Sequence, residues 1–223
     1  MHRLIWSTIL LLCGVAWAQE RQVVPLRYEL WWDERSFWYV GRFEPTAPGE
    51  AKLPPLTEPK FFTCEFGGSK QLFVLAKQDG DWMIYVDTNG NNDLTEEKPL
   101  QPRQQGRYRV FGPIPMKVQV NGRTLIRYVG AGVMTALDGS VRLYLLVASQ
   151  WKGNLQWDSK TVPVTVVDSD ADGLVGEDDI LLLGTEAEQR RFPVSAQLGI
   201  EGRFFFRFCV APTGEHWLLN PFR

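Results

Sequence analysis

The sequence has few of the residues that dominate common catalytic and redox centres. It contains only two histidines and three cysteines among its 223 residues. His2 lies in an N-terminal segment that we expect to be removed, which leaves His216 as the only histidine of the mature chain. This shortage argues against a histidine-rich zinc site, and it leaves a single candidate base for a serine or cysteine triad.

The sequence also lacks the motifs and the charge that mark several large functional classes. No G-x-S-x-G, H-E-x-x-H, phosphate-binding loop or dinucleotide fingerprint occurs. The formal net charge is only −2 and there is no basic tail, so nothing points to nucleic acid. We therefore do not expect an enzyme, although a hydrolase that uses carboxylates alone, as glycosidases do, remains an alternative.

One long apolar run occurs, and it lies at the N-terminus. Residues 1–18 combine a short basic start, an apolar stretch and an A-W-A sequence ending at Ala18. This pattern predicts a secretory signal peptide cleaved after Ala18, and the run is too short for a membrane span. We expect residues 19–223 to form a β-rich domain that is secreted, periplasmic or on the cell surface. Cys64 and Cys209 then either pair as a disulfide or remain buried thiols.

Apolar and β-branched segments separated by turn dipeptides fill most of the mature chain. Asp79-Gly80, Asn121-Gly122 and Asp138-Gly139 predict hairpin turns, because such pairs tolerate positive φ angles. Residues 23–32 and 37–43 predict a further hairpin. The pattern predicts an all-β fold, an antiparallel sandwich or barrel-like sheet. A weak repeat of strand, connection, strand and acidic loop suggests two subdomains, at about residues 60–100 and 141–183.

Acidic residues at regular spacing follow the predicted strand at residues 161–167. Asp168, Asp170 and Asp172 stand at alternate positions, Gly173 follows at once, and Asp179 is the twelfth residue counted from Asp168. Calcium needs six to eight hard oxygen ligands, which alternate side chains of a curved segment supply, and glycine permits the sharp turn. Without a cation these carboxylates would repel one another. The spacing predicts a cation site; the alternative is a solvated acidic turn between strands.

This spacing resembles the calcium-binding loop of EF-hand proteins. In that loop, positions 1, 3, 5 and 12 bind calcium through side chains, and position 7, here Leu174, binds through its backbone carbonyl. The resemblance implies the ligand scheme only, because a strand rather than a helix precedes the loop. Loops of this kind between strands are similar to those of exported bacterial β-rich proteins with D-x-N-x-D-type segments, which implies a calcium-stabilised extracellular domain rather than an activity.

A second segment has the same spacing with fewer charges. Its candidate ligands are Asp87, Asn89, Asn91, Asp93 and Glu97. Asn92 stands at the position of the glycine, and asparagine tolerates the left-handed conformation required there. Position 12 is Lys98, so the closing carboxylate has to come from Glu96 or Glu97. We expect weaker calcium binding than in the first segment; the alternative is an Asn/Gly-rich turn bonded to its own backbone.

Tryptophan is abundant, and two of the tryptophans suggest a second candidate function. Trp151 and Trp157 lie in W-K-G-N-L-Q-W, which we interpret as a polar connection with an exposed aromatic pair. Such a pair could stack on a polysaccharide, as in a calcium-stabilised carbohydrate-binding module; the alternative is core packing. The first candidate is a secreted calcium-binding β protein with a structural or cell-surface interaction role.

Overall fold

Strands are the only regular secondary structure in the described part of the chain. The computed structural model describes residues 22–32, 39–42, 44–47, 49–103, 108–157, 159–185, 187–194, 197–200, 204–210, 214 and 216–221. These ranges contain sixteen strands and no α-helix, and hence no helix of the length and apolarity needed to cross a membrane. The predicted signal peptide, residues 1–18, lies outside the described residues.

The strands vary from two to thirteen residues in length. The first eight are β1 (Gln22–Leu30), β2 (Tyr39–Arg42), β3 (Glu44–Pro45), β4 (Thr57–Phe66), β5 (Ser69–Gln78), β6 (Asp81–Val86), β7 (Tyr108–Val120) and β8 (Arg123–Thr135). The other eight are β9 (Val141–Val147), β10 (Ser149–Trp157), β11 (Lys160–Val167), β12 (Ile180–Leu183), β13 (Arg190–Pro193), β14 (Gln197–Ile200), β15 (Phe204–Val210) and β16 (His216–Pro221).

Three antiparallel sheets arise from these strands. The largest has eight strands in the order β13-β12-β11-β10-β1-β16-β15-β14, and two four-stranded sheets have the orders β2-β9-β8-β7 and β3-β4-β5-β6. None of the three sheets closes on itself. The prediction of an all-β fold is confirmed, and of the two expected architectures the sandwich describes it.

The two four-stranded sheets face each other across the main hydrophobic core, which we term the first core. Both sheets contribute fully buried side chains to it, among them Phe66, Phe73, Ile84, Phe111, Ile114 and Val133. In β7, buried residues alternate with more exposed ones from Ile114 to Val120, because successive side chains of a strand point to opposite faces. This alternation directs one face of β7 into the first core and the other toward solvent.

The eight-stranded sheet carries a separate hydrophobic cluster, which we term the second core. Its buried members come from β1, β10, β11 and β12 and from the segments next to them: Val24, Leu26, Trp151, Leu155, Val164, Val166, Val175, Leu181 and Val194. The described residues therefore form two main hydrophobic cores. Residues 171–175 contact both cores and so connect them.

The turn dipeptides behave as their chemistry predicts. Asp79-Gly80 joins β5 to β6 and Asn121-Gly122 joins β7 to β8, and all four residues have positive φ angles between 50° and 86°. Asp138-Gly139 lies in the longer connection from β8 to β9, where only the glycine has a positive φ. The predicted hairpins at these dipeptides are confirmed.

The hairpin predicted from residues 23–32 and 37–43 is wrong. Strand β1 pairs with β10 and β16 in the eight-stranded sheet, whereas β2 pairs with β9 in a different sheet. The weak repeat also differs between its copies, since β5 and β6 pair directly while β9 and β11 lie in different sheets. Adjacent strands in sequence need not pair when each has an apolar face that another sheet buries better.

The interpretation of W-K-G-N-L-Q-W as a polar connection is also wrong. These residues form β10, which pairs with β1 and β11. Trp151 is only 1 % exposed and belongs to the second core, so it is not available to stack on a polysaccharide. Its indole packs so closely against Gly214 that a Cβ there would overlap the ring. The side chain of Trp157 lies outside the described residues.

Cys64 is a buried free thiol of the first core, whereas the side chain of Cys209 lies outside the described residues. Burial raises the pKa of Cys64 to about 12, and the thiolate is the reactive form. In a mature-chain variant with Cys209→Ser, we expect an aromatic disulfide reagent at pH 8 to label almost no thiol in the native state and one thiol in denaturant. Rapid native labelling would contradict the burial of Cys64.

Candidate metal centre

The first acidic loop, residues 168–179, connects β11 to β12. The amide of Asp168 donates to the carbonyl of Ser149 at 3.3 Å, so the loop starts where β11 is still held by β10. The Asp168 carboxylate is buried, and its two oxygens accept hydrogen bonds from the amides of Asp172 and Gly173, both at 3.0 Å. The chain is therefore wrapped around the first carboxylate of the loop.

Three carboxylates of this loop converge. One oxygen from each of Asp168, Asp170 and Asp172 lies within 4.8 Å of the other two, an arrangement that could hold a metal ion. Exposure increases from the buried Asp168 through the half-buried Asp172 to the exposed Asp170. The group is thus anchored in the protein at one side and open to solvent at the other.

Asp179 lies beside this group but is held differently. Its carboxylate is buried and accepts hydrogen bonds from the amides of Ser169 at 2.7 Å and Gly176 at 2.9 Å. These bonds fix the end of the loop to its beginning. The amide of Leu174 donates to the Asp172 carboxylate at 2.7 Å, and its side chain packs against the first core. The structure therefore brings Asp168, Asp170 and Asp172 together and places Asp179 and Leu174 next to them.

The surroundings of this loop make the ionised forms of its carboxylates less stable than those of a free aspartate. Burial, and then the charges of Asp179, Asp172 and Asp170, raise the pKa of Asp168 well above its ordinary value. Burial raises the pKa of Asp172 as well, and it raises that of Asp179 to about 7. Without a cation these carboxylates are thus protonated more easily than a free aspartate, and a bound cation would instead stabilise the ionised forms.

The loop also packs against a hairpin of a different sheet. The amide of Gly67, in the β4–β5 turn, donates to the backbone carbonyl of Asp172. A Cβ at Gly173 would overlap the ring of Phe66, and Gly173 has a φ of +80°. Only glycine combines that backbone conformation with so close an approach. Ala171 belongs to the first core, and so the centre of the loop is part of the sandwich interior.

The second acidic loop, residues 87–98, has the same backbone plan. The buried carboxylate of Asp87 accepts hydrogen bonds from the amides of Gly90 at 2.8 Å, Asn91 at 3.1 Å and Asn92 at 2.8 Å. Asn92 has a φ of +58°, as its position in place of glycine predicts. In both loops the first carboxylate therefore organises the turn.

The remaining polar groups of the second loop are paired within the protein. Glu96 accepts hydrogen bonds from the side-chain amides of Asn89 at 2.7 Å and Asn91 at 2.6 Å. Glu97 instead accepts two hydrogen bonds from Thr88. Of the two candidate closing carboxylates, the structure thus places Glu96 against the predicted ligands.

Asp93, another predicted ligand of the second loop, is engaged elsewhere. Its carboxylate accepts from Thr95 and forms an ion pair with Lys52 at 2.9 Å. Both contacts hold the pKa of Asp93 below its ordinary value, the Thr95 bond most strongly. Lys52 was not among the candidate residues, and no local pattern points to it, because it lies far from the loop in sequence.

Comparison with known proteins gives no relative from which a role could be transferred. The sequence matches no family model, no curated protein and no solved structure. The candidate function therefore rests on the geometry and charge of the site.

The raised pKa of Asp179 predicts a pH dependence for the metal-free protein. An unfolded aspartate ionises near pH 4, so between about pH 4 and pH 7 the folded state retains a proton that the unfolded state has lost. The resulting stability is present at the acid end of this window and is lost as the pH rises. In chelator, we expect the melting temperature to fall by about 5 °C or more from pH 4.5 to pH 7.5.

The matched variant is Asp179→Asn, which removes the titrating group and keeps the side-chain shape. Calorimetric melts of this variant should show a flatter pH dependence than those of the wild type. Equal slopes for the two proteins would mean that Asp179 ionises normally in the folded state.

Proposed function

We propose that this protein is an exported calcium-binding β protein in which the bound cation stabilises the fold, and which has a structural or cell-surface interaction role. The observation that carries the proposal is the convergence of Asp168, Asp170 and Asp172 in a partly buried group. Burial of Asp168, and then the repulsion between the carboxylates, disfavour the ionised loop, and this is the electrostatic condition that a cation relieves.

Oxygen-only ligands favour a hard cation. Calcium accepts six to eight oxygens in variable geometry, whereas magnesium demands a near-regular octahedron and zinc prefers nitrogen and sulfur. The spacing of the three aspartates, with Leu174 at position 7 and Asp179 at position 12, is that of a calcium loop. In the proposed site, Leu174 supplies a carbonyl and Asp179 the closing carboxylate.

The expected stabilisation is large enough to matter. A site that binds calcium at about 10 μM would add roughly 2.7 kcal/mol to the free energy of unfolding in about 1 mM calcium. Typical domains have a net stability of about 5–15 kcal/mol. The predicted signal peptide supports this role, because an exported protein meets calcium at such concentrations. Export itself remains an expectation from the sequence.

A second cation in residues 87–98 remains a prediction. Its carboxylates and amides already have partners in Glu96, Thr88 and Lys52, so a cation there has to displace hydrogen bonds. In the first loop the donors to Asp168, Asp172 and Asp179 are backbone amides of the loop itself, so we place the principal site there.

The sharpest test removes one ligand without removing a structural anchor. Asp170 is exposed, and its carboxylate accepts one long hydrogen bond, of 3.3 Å, from Asp172. We expect Asp170→Asn to fold normally and to lower calcium affinity by about tenfold or more, because affinity follows the number of charged ligands. Titration calorimetry measures the affinity, and melts with calcium and with chelator should differ by about 5–10 °C in the wild type.

The control is Asp138→Asn, in an exposed turn between β8 and β9 where Asp138 bonds the amide of Ser140. It should leave calcium affinity unchanged. Identical wild-type melts in calcium and in chelator, with no binding heat, would exclude a calcium-stabilised fold. A ratio of one ion per chain, with affinity lowered by Asp170→Asn, would assign binding to the first loop, and a ratio of two would add the second loop.

A further inference from the structure

We infer that the first acidic loop couples cation binding to the packing of the β4–β5 hairpin, so that the two cores of the protein are locked together when the site is filled. This inference rests on the proposed function, since it assigns a mechanical consequence to occupancy of that same site. The carrying observation is the set of contacts that the loop backbone makes outside its own sheet.

The loop connects two strands of one sheet, but its residues pack into both cores. It joins β11 to β12 of the eight-stranded sheet, and Val175 is buried in the second core. A few residues earlier, Ala171 is buried in the first core and Leu174 packs against it. Within residues 171–175 the chain thus passes from one core to the other.

The residues that contact the hairpin are interleaved with the candidate ligands. Asp172 offers its carboxylate to the cation group and its backbone carbonyl to the Gly67 amide. Gly173 donates its amide to the Asp168 carboxylate while its α-carbon lies against the Phe66 ring. The same two residues therefore face the cation on one side and the β4–β5 hairpin on the other.

This arrangement makes the coupling reciprocal. A cation that draws the three carboxylates together fixes the curvature of the loop, and the Asp172 carbonyl and Gly173 are then held where the hairpin needs them. Conversely, the Phe66 ring limits the positions that Gly173 can take and so favours the curvature that binds the cation. By linkage, any change of affinity caused by the hairpin equals the effect of the cation on hairpin docking.

The first experiment follows hydrogen exchange of the Gly67 amide by NMR, with calcium and with chelator. We expect calcium to slow this exchange by about tenfold or more, because the acceptor carbonyl becomes fixed. The internal control is Gly184, another half-buried glycine, whose amide donates to the Pro163 carbonyl at 3.0 Å at the opposite end of β11 and β12. Its exchange should change much less.

The second experiment tests the reverse direction with Phe66→Leu, which shortens the side chain that lies against Gly173. Phe66 bears no ligand atom, yet we expect calcium affinity to fall by about five- to tenfold. The matched control is Phe62→Leu, in the same strand and the same core, which should bind calcium as the wild type does. The exchange measurement on the wild type remains decisive should Phe66→Leu fail to fold.

The outcomes separate the two proposals. Calcium binding with selective protection of Gly67 supports the coupling. Calcium binding with unchanged Gly67 exchange, or with equal slowing at Gly67 and Gly184, overturns the coupling and leaves the calcium site standing. Absence of calcium binding overturns the proposed function and the coupling together.

Discussion

Negative charge that the fold places in a poorly solvated position is the constraint on which the rest of the site depends. Asp168 is almost fully buried, and three further carboxylates act on it from the same loop. Backbone amides of Asp172 and Gly173 offset part of this cost, but they carry only partial charges. A carboxylate so placed needs a proton or a cation, and the loop geometry keeps its neighbours close enough to share one.

The two acidic loops show how the same backbone plan can be satisfied by different chemistry. Each begins with a buried aspartate that collects amides from the following turn. In the loop that starts at Asp87, asparagine amides donate to Glu96, and Lys52 from a distant segment pairs with Asp93. These neutral and cationic donors already pair with the carboxylates to which the proposed second cation would bind. Asparagine in place of aspartate therefore lowers the negative charge of this loop and lets its side chains bond within the loop.

Local patterns predicted much of the fold, and they failed where pairing is non-local. Asparagine and glycine both tolerate the positive φ angles found at Asn121 and Gly122, and so this hairpin could be predicted from the sequence. The strand β10 also had a local signal, because Trp151 and Leu155 are buried on one face while Lys152 and Asn154 are exposed on the other. The many polar residues of this segment made the alternation hard to recognise in the sequence.

The site was predictable to the extent that it is local. Asp168, Asp170 and Asp172 stand two residues apart in one short turn, so their convergence depends on local curvature of the chain, and the structure brings them together. The contacts of Gly67 and Phe66 with this loop depend on how two sheets pack. The spacing of the acidic residues does not predict these contacts, because about a hundred residues separate Gly67 and Phe66 from the loop. That Asn89 and Asn91 donate to Glu96 and not to Glu97 likewise depends on rotamers and neighbours.

The position of β1 has a kinetic consequence. This strand lies between β10 and β16, whose residues come from the middle and the far end of the chain. Its hydrogen-bonding edges therefore stay unsatisfied until segments more than a hundred residues away have been made and brought into register. Long chain segments have to be closed into loops, at a cost in entropy, before the hydrogen bonds of these strand pairs form. This places the topology among the slower-folding β architectures. Until then the unpaired edges of β1 can form hydrogen bonds with other extended chains. Mispairing of β1 during folding is therefore the main risk of this topology.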